Sequence, residues 1–435
     1  MKICVQGLWH LGSVTAGALS SMGHDVVGLD LDAATVAGLK SGKAPIFEPG
    51  LDALLCTGID AVRLRFIDHP ADIPTDIELL WVAFDTPVND DDVADVEFVI
   101  TQACTALPHL PDGCTVLVSS QLPVGSVRRL EAVAAELLPA KQLSFAASPE
   151  NLRLGKALDV FLKPDRVVVG IRHVRDRERI EQVLKPIAPR IEWMSVESAE
   201  MTKHAINAFL ATSVVFANEI ASLCELEGAD AKEVERGLKS DKRIGPKAYL
   251  GPGGAFAGGT LARDIEFLKA MSQRRQLPIP MLESVKTSND AHKDWARRRL
   301  ATLLPVLKAV PVTVWGLTYK AGTDTLRRSL SVELCDWLLA QGTKLTVHDP
   351  VVKALPDEWQ GLVARSEDAL QALTGSRVLV VGTEWPAYRE VTAAQAAAAA
   401  PGLLVLDANR FLSAWVFAPG LTHIAVGTPP KGPQL

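Results

Sequence analysis

The sequence predicts an α/β protein: two Rossmann-like, doubly wound parallel-sheet domains joined by a central helical region. Three observations carry this. The chain opens as strand, glycine turn, helix and strand; the same unit recurs after residue 310; and from about Ser195 to Arg298 strand patterns vanish while helical ones continue. At 435 residues it is long enough for two or three domains, since single cores rarely grow past roughly 250–300 residues.

The elements follow in order. KICVQG (2–7) is a short apolar run ending in glycine. A small-residue helix follows as far as Gly23, and HDVVGLDLD (24–32) is a second strand ending in acid. Strand patterns recur at IELLWVAF (77–84), CTVLVSS (114–120), LSFAAS (143–148) and RVVVG (166–170), with helical patterns between them, as in a parallel sheet covered on both faces. AEMTKHAINAFLATSVVFANEIASLCELEG (199–228) reads as one long helix closed by Gly228. VPVTVWG (310–316), SVELCDWLLAQG (331–342) and TKLTVHDP (343–350) then repeat the opening unit. The alanine tract at 393–400 is read as a surface helix, ended by Pro401 and Gly402 before the strand LLVLDA.

Bulk properties exclude several classes of function. A net charge of −6 gives no basic footprint for nucleic acid or an anionic membrane surface. No unbroken apolar run reaches the roughly 18–20 residues of a membrane helix. Gly7, Gly12 and Gly23 interrupt the N-terminal stretch, so it reads as strand and turn and not as a signal peptide. The six cysteines and nine histidines are scattered without metal-ligand spacing. A cytoplasmic protein with reduced thiols and no metal is the expectation.

The opening unit has the parts of a dinucleotide site: a helix N-terminus to receive a pyrophosphate, and Asp30 to accept ribose hydroxyls. An acid there favours NAD over NADP, whose 2′-phosphate it would repel. The glycine pattern G-x-G-x-x-G reads Gly7, Trp9, Gly12. A tryptophan stands where backbone has to approach phosphate. Either the loop is remodelled, or the cofactor binds weakly or not at all. On its own the motif supports no more than a Rossmann-like domain.

Longer segments are more specific. GKAPIFEPGL (42–51), DTP (85–87) with ADVEFV (94–99), SSQLPVGS (119–126) and SPENLRLG (148–155) occur in that order. They are followed by AEMTKHAINAFLATSVVFANEIASLCE (199–225), DKRIG (241–245), GLTYKAGTDTLRRS (316–329) and TEWPAYR (383–389). In this order, over essentially the whole chain, they resemble the nucleotide-sugar dehydrogenases, the UDP-glucose/GDP-mannose dehydrogenase family. The resemblance implies an NAD-binding domain (1–195), a helical dimer-forming centre (196–298) and a nucleotide-sugar-binding domain (299–435). It also implies a homodimer that oxidises the hydroxymethyl group of UDP-glucose or a relative to a carboxylate, as in polysaccharide biosynthesis.

Residue by residue, the resemblance implies that Gly7, Gly12, Asp30, Thr86, Ser120 and Arg327 serve the cofactor. Arg243, Tyr319 and Lys320 serve the nucleotide sugar, with Arg243 reaching the neighbouring subunit's substrate. Lys203 and Asn207, one turn apart on a helix, match the lysine and asparagine that face a developing oxyanion; Ala205, Ile206 and Phe209 are read as an apolar surround that shelters them. Asp264 matches the aspartate that accepts or relays a proton, and Glu150 the glutamate after Ser-Pro. Val214, Val215, Phe216, Ile220 and Leu223 are expected at the subunit interface.

Four further positions depart from the family. Gln121 and Leu154 replace a threonine and a glutamate. Where the family's catalytic segment resembles G-G-S-C-F-P-K-D, this chain reads Ala257-Gly258-Gly259-Thr260-Leu261-Ala262-Arg263-Asp264 on the Asp264 anchor, which puts Thr260 at the cysteine and Arg263 at the lysine. The upstream loop is longer than usual, yet no slip restores a thiol, because no cysteine lies between Cys224 and Cys335. The family's second oxidation needs a thiohemiacetal. A threonine hydroxyl is essentially unionised at neutral pH, whereas a thiol is a few per cent thiolate. Three functions follow, in this order: an NAD-dependent oxidoreductase limited to one two-electron step, a non-catalytic nucleotide-sugar-binding relative, and a four-electron dehydrogenase working through the aldehyde hydrate.

Overall fold

The computed structural model describes residues 1–89, 94–150, 152–257 and 259–429. Its contacts divide into two compact units, Met1–Ile206 and Asn207–Leu435, and the division falls inside one long helix, Val196–Glu227.

The first unit contains eight strands: β1 (Lys2–Gln6), β2 (Asp25–Leu29), β3 (Leu64–Ile67), β4 (Leu79–Val82), β5 (Thr115–Val118), β6 (Ser144–Ala147), β7 (Val167–Ile171) and β8 (Ile191–Met194). They form a single sheet in the order β3-β2-β1-β4-β5-β6-β7-β8. Alternate residues serve opposite faces: Cys4, Val116 and Val118 enter one core, and Ile3, Val5 and Leu117 the other. Burial on both faces is why these strands read as apolar runs and not as alternating patterns.

All neighbours in this sheet are parallel except β6 and β7. That corrects the expectation of a wholly parallel sheet. The connection holds only the six-residue helix Ala157–Leu162, about 9 Å of rise. The whole connection, residues 148–166, is as long as the parallel crossover from β7 to β8, so its length does not set the direction of β7. β3 and β8 were not recognised from the sequence. Both carry a charged residue, Arg65 in β3 and Glu192 in β8, which breaks the apolar run that marks the other strands.

In the second unit, β9 (Pro311–Trp315), β10 (Lys344–His348), β11 (Val363–Arg365), β12 (Val378–Val381), β13 (Leu403–Leu406) and β14 (Leu421–Ile424) form a parallel sheet. The strand order is β11-β10-β9-β12-β13-β14. Val312 and Val314 face one core; Trp315, stacked on Tyr388 at 4.7 Å, faces the other. The alanine tract forms the helix Ala393–Ala399, started by a Thr392–Gln395 capping box. It is less superficial than expected, because Ala396 and Ala400 are buried against the sheet.

The long helix ends at Gly228, whose φ of +75° suits a left-handed C-terminal residue. By length and mean hydropathy (1.4 over its best window) this helix is apolar enough to cross a bilayer, although polar and charged residues interrupt it. Of that window, 44% is buried within the protein.

Candidate functional site

The glycine turn after β1 is built for close packing. Gly7 has a φ of +87°, and a Cβ on it would lie 2.5 Å from the Phe84 ring. A Cβ on Gly12, in the helix His10–Ser21, would lie 1.6 Å from the Gly7 carbonyl oxygen. Trp9 sits between them at φ −70° and ψ −135°. The Trp9 side chain is 51% exposed and walls a cleft of about 630 Å³ shared with Gly7, Asp30, Asp85, Thr86 and Phe98. That cleft lies at the carboxyl ends of β1 and β4, where the strand order reverses, the usual ligand position in such sheets.

Asp30 follows β2. One of its carboxylate oxygens accepts the Leu8 N–H at 2.7 Å and the other the Asp32 N–H at 3.0 Å. Each oxygen keeps further lone-pair capacity for a hydroxyl. The buried Thr86 hydroxyl donates to the Gln121 carbonyl at 2.7 Å, tying the loop after β4 to the loop after β5. The turn, the acid and the switch-point cleft fit the adenosine half of NAD.

Lys203 is half-buried in the first unit and shares a small niche with Ser120, Gln121, Pro149 and Glu200. The structure thus brings Ser120, Lys203 and the segment leading into Glu150 together; Asn151 lies outside the described residues. The buried Ser120 hydroxyl has no hydrogen-bond partner among the described residues. Glu200 accepts the N–H groups of Gly125 (2.7 Å) and Val127 (3.0 Å), which fixes the start of the helix Ser126–Leu137 beside that niche. Burial pushes the Glu200 carboxyl above its usual range, against the pull of those two N–H groups.

Glu48 of the EPGL segment works similarly. It accepts the N–H groups of Gly155 and Ala157, both at 2.8 Å, and meets the His10 ring at 3.0 Å. Sequence reasoning assigned neither glutamate a role. An acid three residues before Lys203 on an otherwise apolar helix was the available signal for Glu200.

In the second unit Asn207 and Asp264 are both buried, and the Asn207 side-chain amide donates to the Asp264 carboxylate. Thr260 is the first residue of the helix Thr260–Arg275 and is exposed; Asp264 is one turn further along the same face. Gly258 lies outside the described residues, and a Cβ on Gly259 would stand 3.5 Å from the Tyr319 hydroxyl. Cys224 and Cys335, the nearest cysteines in sequence, are buried, and burial raises both thiols above their ordinary range. Neither offers a thiolate.

The longer loop before Thr260 is held by four side chains. Asn218 accepts the Gly253 N–H (3.0 Å), Asn409 that of Gly254 (2.7 Å) and Asn289 that of Phe256 (3.0 Å). Asn289 also donates to the Phe256 carbonyl, and the His292 ring contacts the Gly253 carbonyl, both at 2.8 Å. Burial lowers the His292 pKa, so a neutral ring donates this bond. None of the four was legible as a site residue.

A cleft of about 580 Å³ opens at the carboxyl ends of β9 and β12, again where the strand order reverses, and Tyr319, Lys320, Ser329, Thr383 and Glu384 line it. Arg327 lies in the same loop as Tyr319 and is exposed. Arg243 is not part of this lining. Its side chain is 88% exposed and paired with Asp241, the Nη2 atom at 2.7 Å.

The expected apolar surround of Lys203 and Asn207 is corrected. Ala205 is exposed and Phe209 is 69% exposed. Residues 205 and 209 are four apart and form their own stripe, away from the faces that bury His204 and Asn207. Val215 is buried in one core of the second unit and Ile220 packs against a second core of that same unit, whereas Phe216 and Leu223 face outward. Among the described residues, no group of three or more His, Cys, Asp or Glu side chains is placed to hold a metal ion.

Two dinucleotide-type folds, each with its cleft at the switch point, define a class of nucleotide-dependent enzymes. Family models match residues 1–188 (UDP-glucose/GDP-mannose dehydrogenase family, NAD binding domain), 197–291 (central domain) and 313–414 (UDP binding domain). The chain is 32% identical to a UDP-glucose 6-dehydrogenase of Pseudomonas aeruginosa, covering 99% of this chain and 98% of that one. It is 28% identical to the UDP-glucose 6-dehydrogenase TuaD of Bacillus subtilis, over 98% and 93%. A UDP-glucose dehydrogenase structure from Pyrobaculum islandicum superposes with a TM-score of 0.83 at 29% identity, covering 98% of each chain. The chain belongs to the UDP-glucose/GDP-mannose dehydrogenase family. It carries that family's NAD-binding and UDP-binding domains and is an oxidoreductase of the nucleotide-sugar dehydrogenase class.

Proposed function

We propose that this oxidoreductase acts on a nucleotide sugar of the UDP-glucose type and stops after one two-electron oxidation, releasing a carbonyl product. The observation that carries this reading is Thr260. It stands exposed at the first residue of its helix, one turn before the Asp264–Asn207 pair, and the cysteines nearest it in sequence, Cys224 and Cys335, are buried.

Gly7, Gly12, Asp30, Thr86 and Ser120, with Arg327, would hold NAD, which accepts a hydride when bound. Asp264 accepts the substrate's hydroxyl proton, directly or through water. The Lys203 ammonium and the second N–H of the Asn207 amide offset the alkoxide charge, and Glu150 supports the Lys203 side. Tyr319 and Lys320 hold the nucleotide sugar. Oxidation of an alcohol needs only these groups. Oxidation of the resulting aldehyde through a covalent adduct needs an activated nucleophile, and Thr260 has no base among its neighbours in sequence to activate it.

The same reading takes residues 1–195, 196–298 and 299–435 as the cofactor, dimer-forming and nucleotide-sugar parts. A homodimer is supported by Phe209, Phe216 and Leu223. They are seven residues apart along the long helix and 69%, 45% and 57% exposed, an apolar stripe suited to a second copy. In that dimer Arg243 would reach the other subunit's substrate.

The test counts NADH formed per sugar and traps the product with a carbonyl reagent. One NADH and a trapped carbonyl support the proposal; two NADH and a carboxylate overturn it. Trp9 favours a second reading, a nucleotide-sugar-binding relative without turnover. Binding of every nucleotide sugar offered, with no NADH, would put that reading first.

A further inference from the structure

The helix His10–Ser21 has no side-chain cap from its own N-cap residue, Trp9. Its first internal hydrogen bond runs from Ser13 N–H to the Trp9 carbonyl at 3.2 Å, so the amides before Ser13 are those a helix leaves for an outside acceptor. One of them is taken. The Leu11 N–H donates to a carboxylate oxygen of Asp85, 74 residues away in the loop after β4, at 3.0 Å. Asp85 is therefore a distant, negatively charged cap on the helix end that faces the dinucleotide cleft.

A pyrophosphate on this fold is received by those same first-turn amides. The cleft around them is lined by three acids, Asp30, Asp32 and Asp85, and by the aromatic side chains of Trp9, Phe84 and Phe98. Among the described residues that line it there is no lysine or arginine. A ligand bringing two phosphate charges meets a carboxylate already bonded where one phosphate should sit.

We propose that Asp85 is a specificity-determining residue for the cofactor: its carboxylate stands in for a phosphate at the helix end, and dinucleotide binding requires it to be displaced. The proposal rests on the NAD reading above and names the residue that controls it. Asp85 is exposed, so solvent and salt weaken its field and the cost of displacement is moderate. Asp85 and Trp9 act separately, one by charge on the Leu11 amide and the other by bulk on the approach path. Asp30 is a different case, since a ribose hydroxyl donates to a carboxylate and a phosphate does not.

The test titrates the full-length protein and its Asp85→Asn and Asp85→Ala variants with NAD, ADP-ribose and adenosine by calorimetry. Asp85→Asn keeps an oxygen for the Leu11 amide and removes the charge, so the helix end stays capped if Asp85→Ala does not fold. NAD and ADP-ribose should bind about tenfold more tightly to Asp85→Asn, about 1.4 kcal/mol. Adenosine, which has no phosphate, should bind unchanged. Equal NAD affinity in the wild type and Asp85→Asn overturns the proposal and leaves the cofactor reading intact. Equal tightening of adenosine also overturns it, because the effect would then be structural. If neither the wild type nor either variant binds NAD, the cofactor reading fails and the proposal fails with it.

Discussion

Restoring a thiol at position 260 should extend the reaction by one step. Thr260 is exposed, so Thr260→Cys should change folding stability by no more than about 0.5 kcal/mol. An ordinary thiol is about 3% thiolate at pH 7. Position 260 is the first residue of a sixteen-residue helix. A helix N-terminus stabilises an exposed negative charge by about 0.3–1 kcal/mol, which raises the thiolate to about 5–14%. That suffices for a step in which the thiolate adds to the aldehyde carbon, the adduct gives up its hydride, and water cleaves the thioester to a carboxylate and the free thiol. The assay compares NADH per sugar and product mass for the wild type, Thr260→Ala and Thr260→Cys. The expected ratios are one, one and two. A Thr260→Cys protein that is folded and active yet still yields one NADH and a carbonyl would refute the argument that the missing thiol sets the end point.

Three further predictions concern neighbouring parts. Lys203→Ala should lose about 2.7–4 kcal/mol of transition-state stabilisation, read as a fall in kcat of about a hundred- to a thousandfold, while Thr260→Ala retains most of its rate; equal losses would remove Lys203 from the oxyanion role. Trp9→Gly should tighten NAD and leave NAD preferred over NADP, as measured by calorimetry; unchanged affinity would show that the loop accommodates the indole. Phe216→Glu should turn a dimer into a monomer by light scattering at micromolar concentration; a wild type that is already monomeric would discard the apolar stripe as an interface.

The sequence made legible whatever is written locally. The turn at Gly7 and Gly12, the acid after β2, the long helix closed by Gly228 and the absence of a thiol near Asp264 are properties of short segments. The direction of β7 was not legible, because which way a strand pairs depends on neighbours distant in sequence. Glu48, Glu200 and Asp85 escaped notice because each caps backbone amides distant in sequence: Glu48 those of Gly155 and Ala157, Glu200 those of Gly125 and Val127, and Asp85 that of Leu11. A carboxylate that serves a distant helix start looks, in one dimension, like any solvated acid. Phe209 misled for a related reason. Apolar character alone does not say which stripe of a helix is turned inward.

The four side chains on the Gly253–Phe256 backbone also change when conformational entropy is lost. Fixing a residue's backbone costs about 1–2 kcal/mol. In a mobile loop that cost falls due when a ligand arrives and is subtracted from its affinity. Here Asn218, Asn289, His292 and Asn409 already hold the segment, so the ordering is complete at folding. For a segment of this length, binding is spared several kcal/mol of penalty. On the proposed reading, contacts made to a sugar beside Thr260 would then count almost in full toward affinity and orientation.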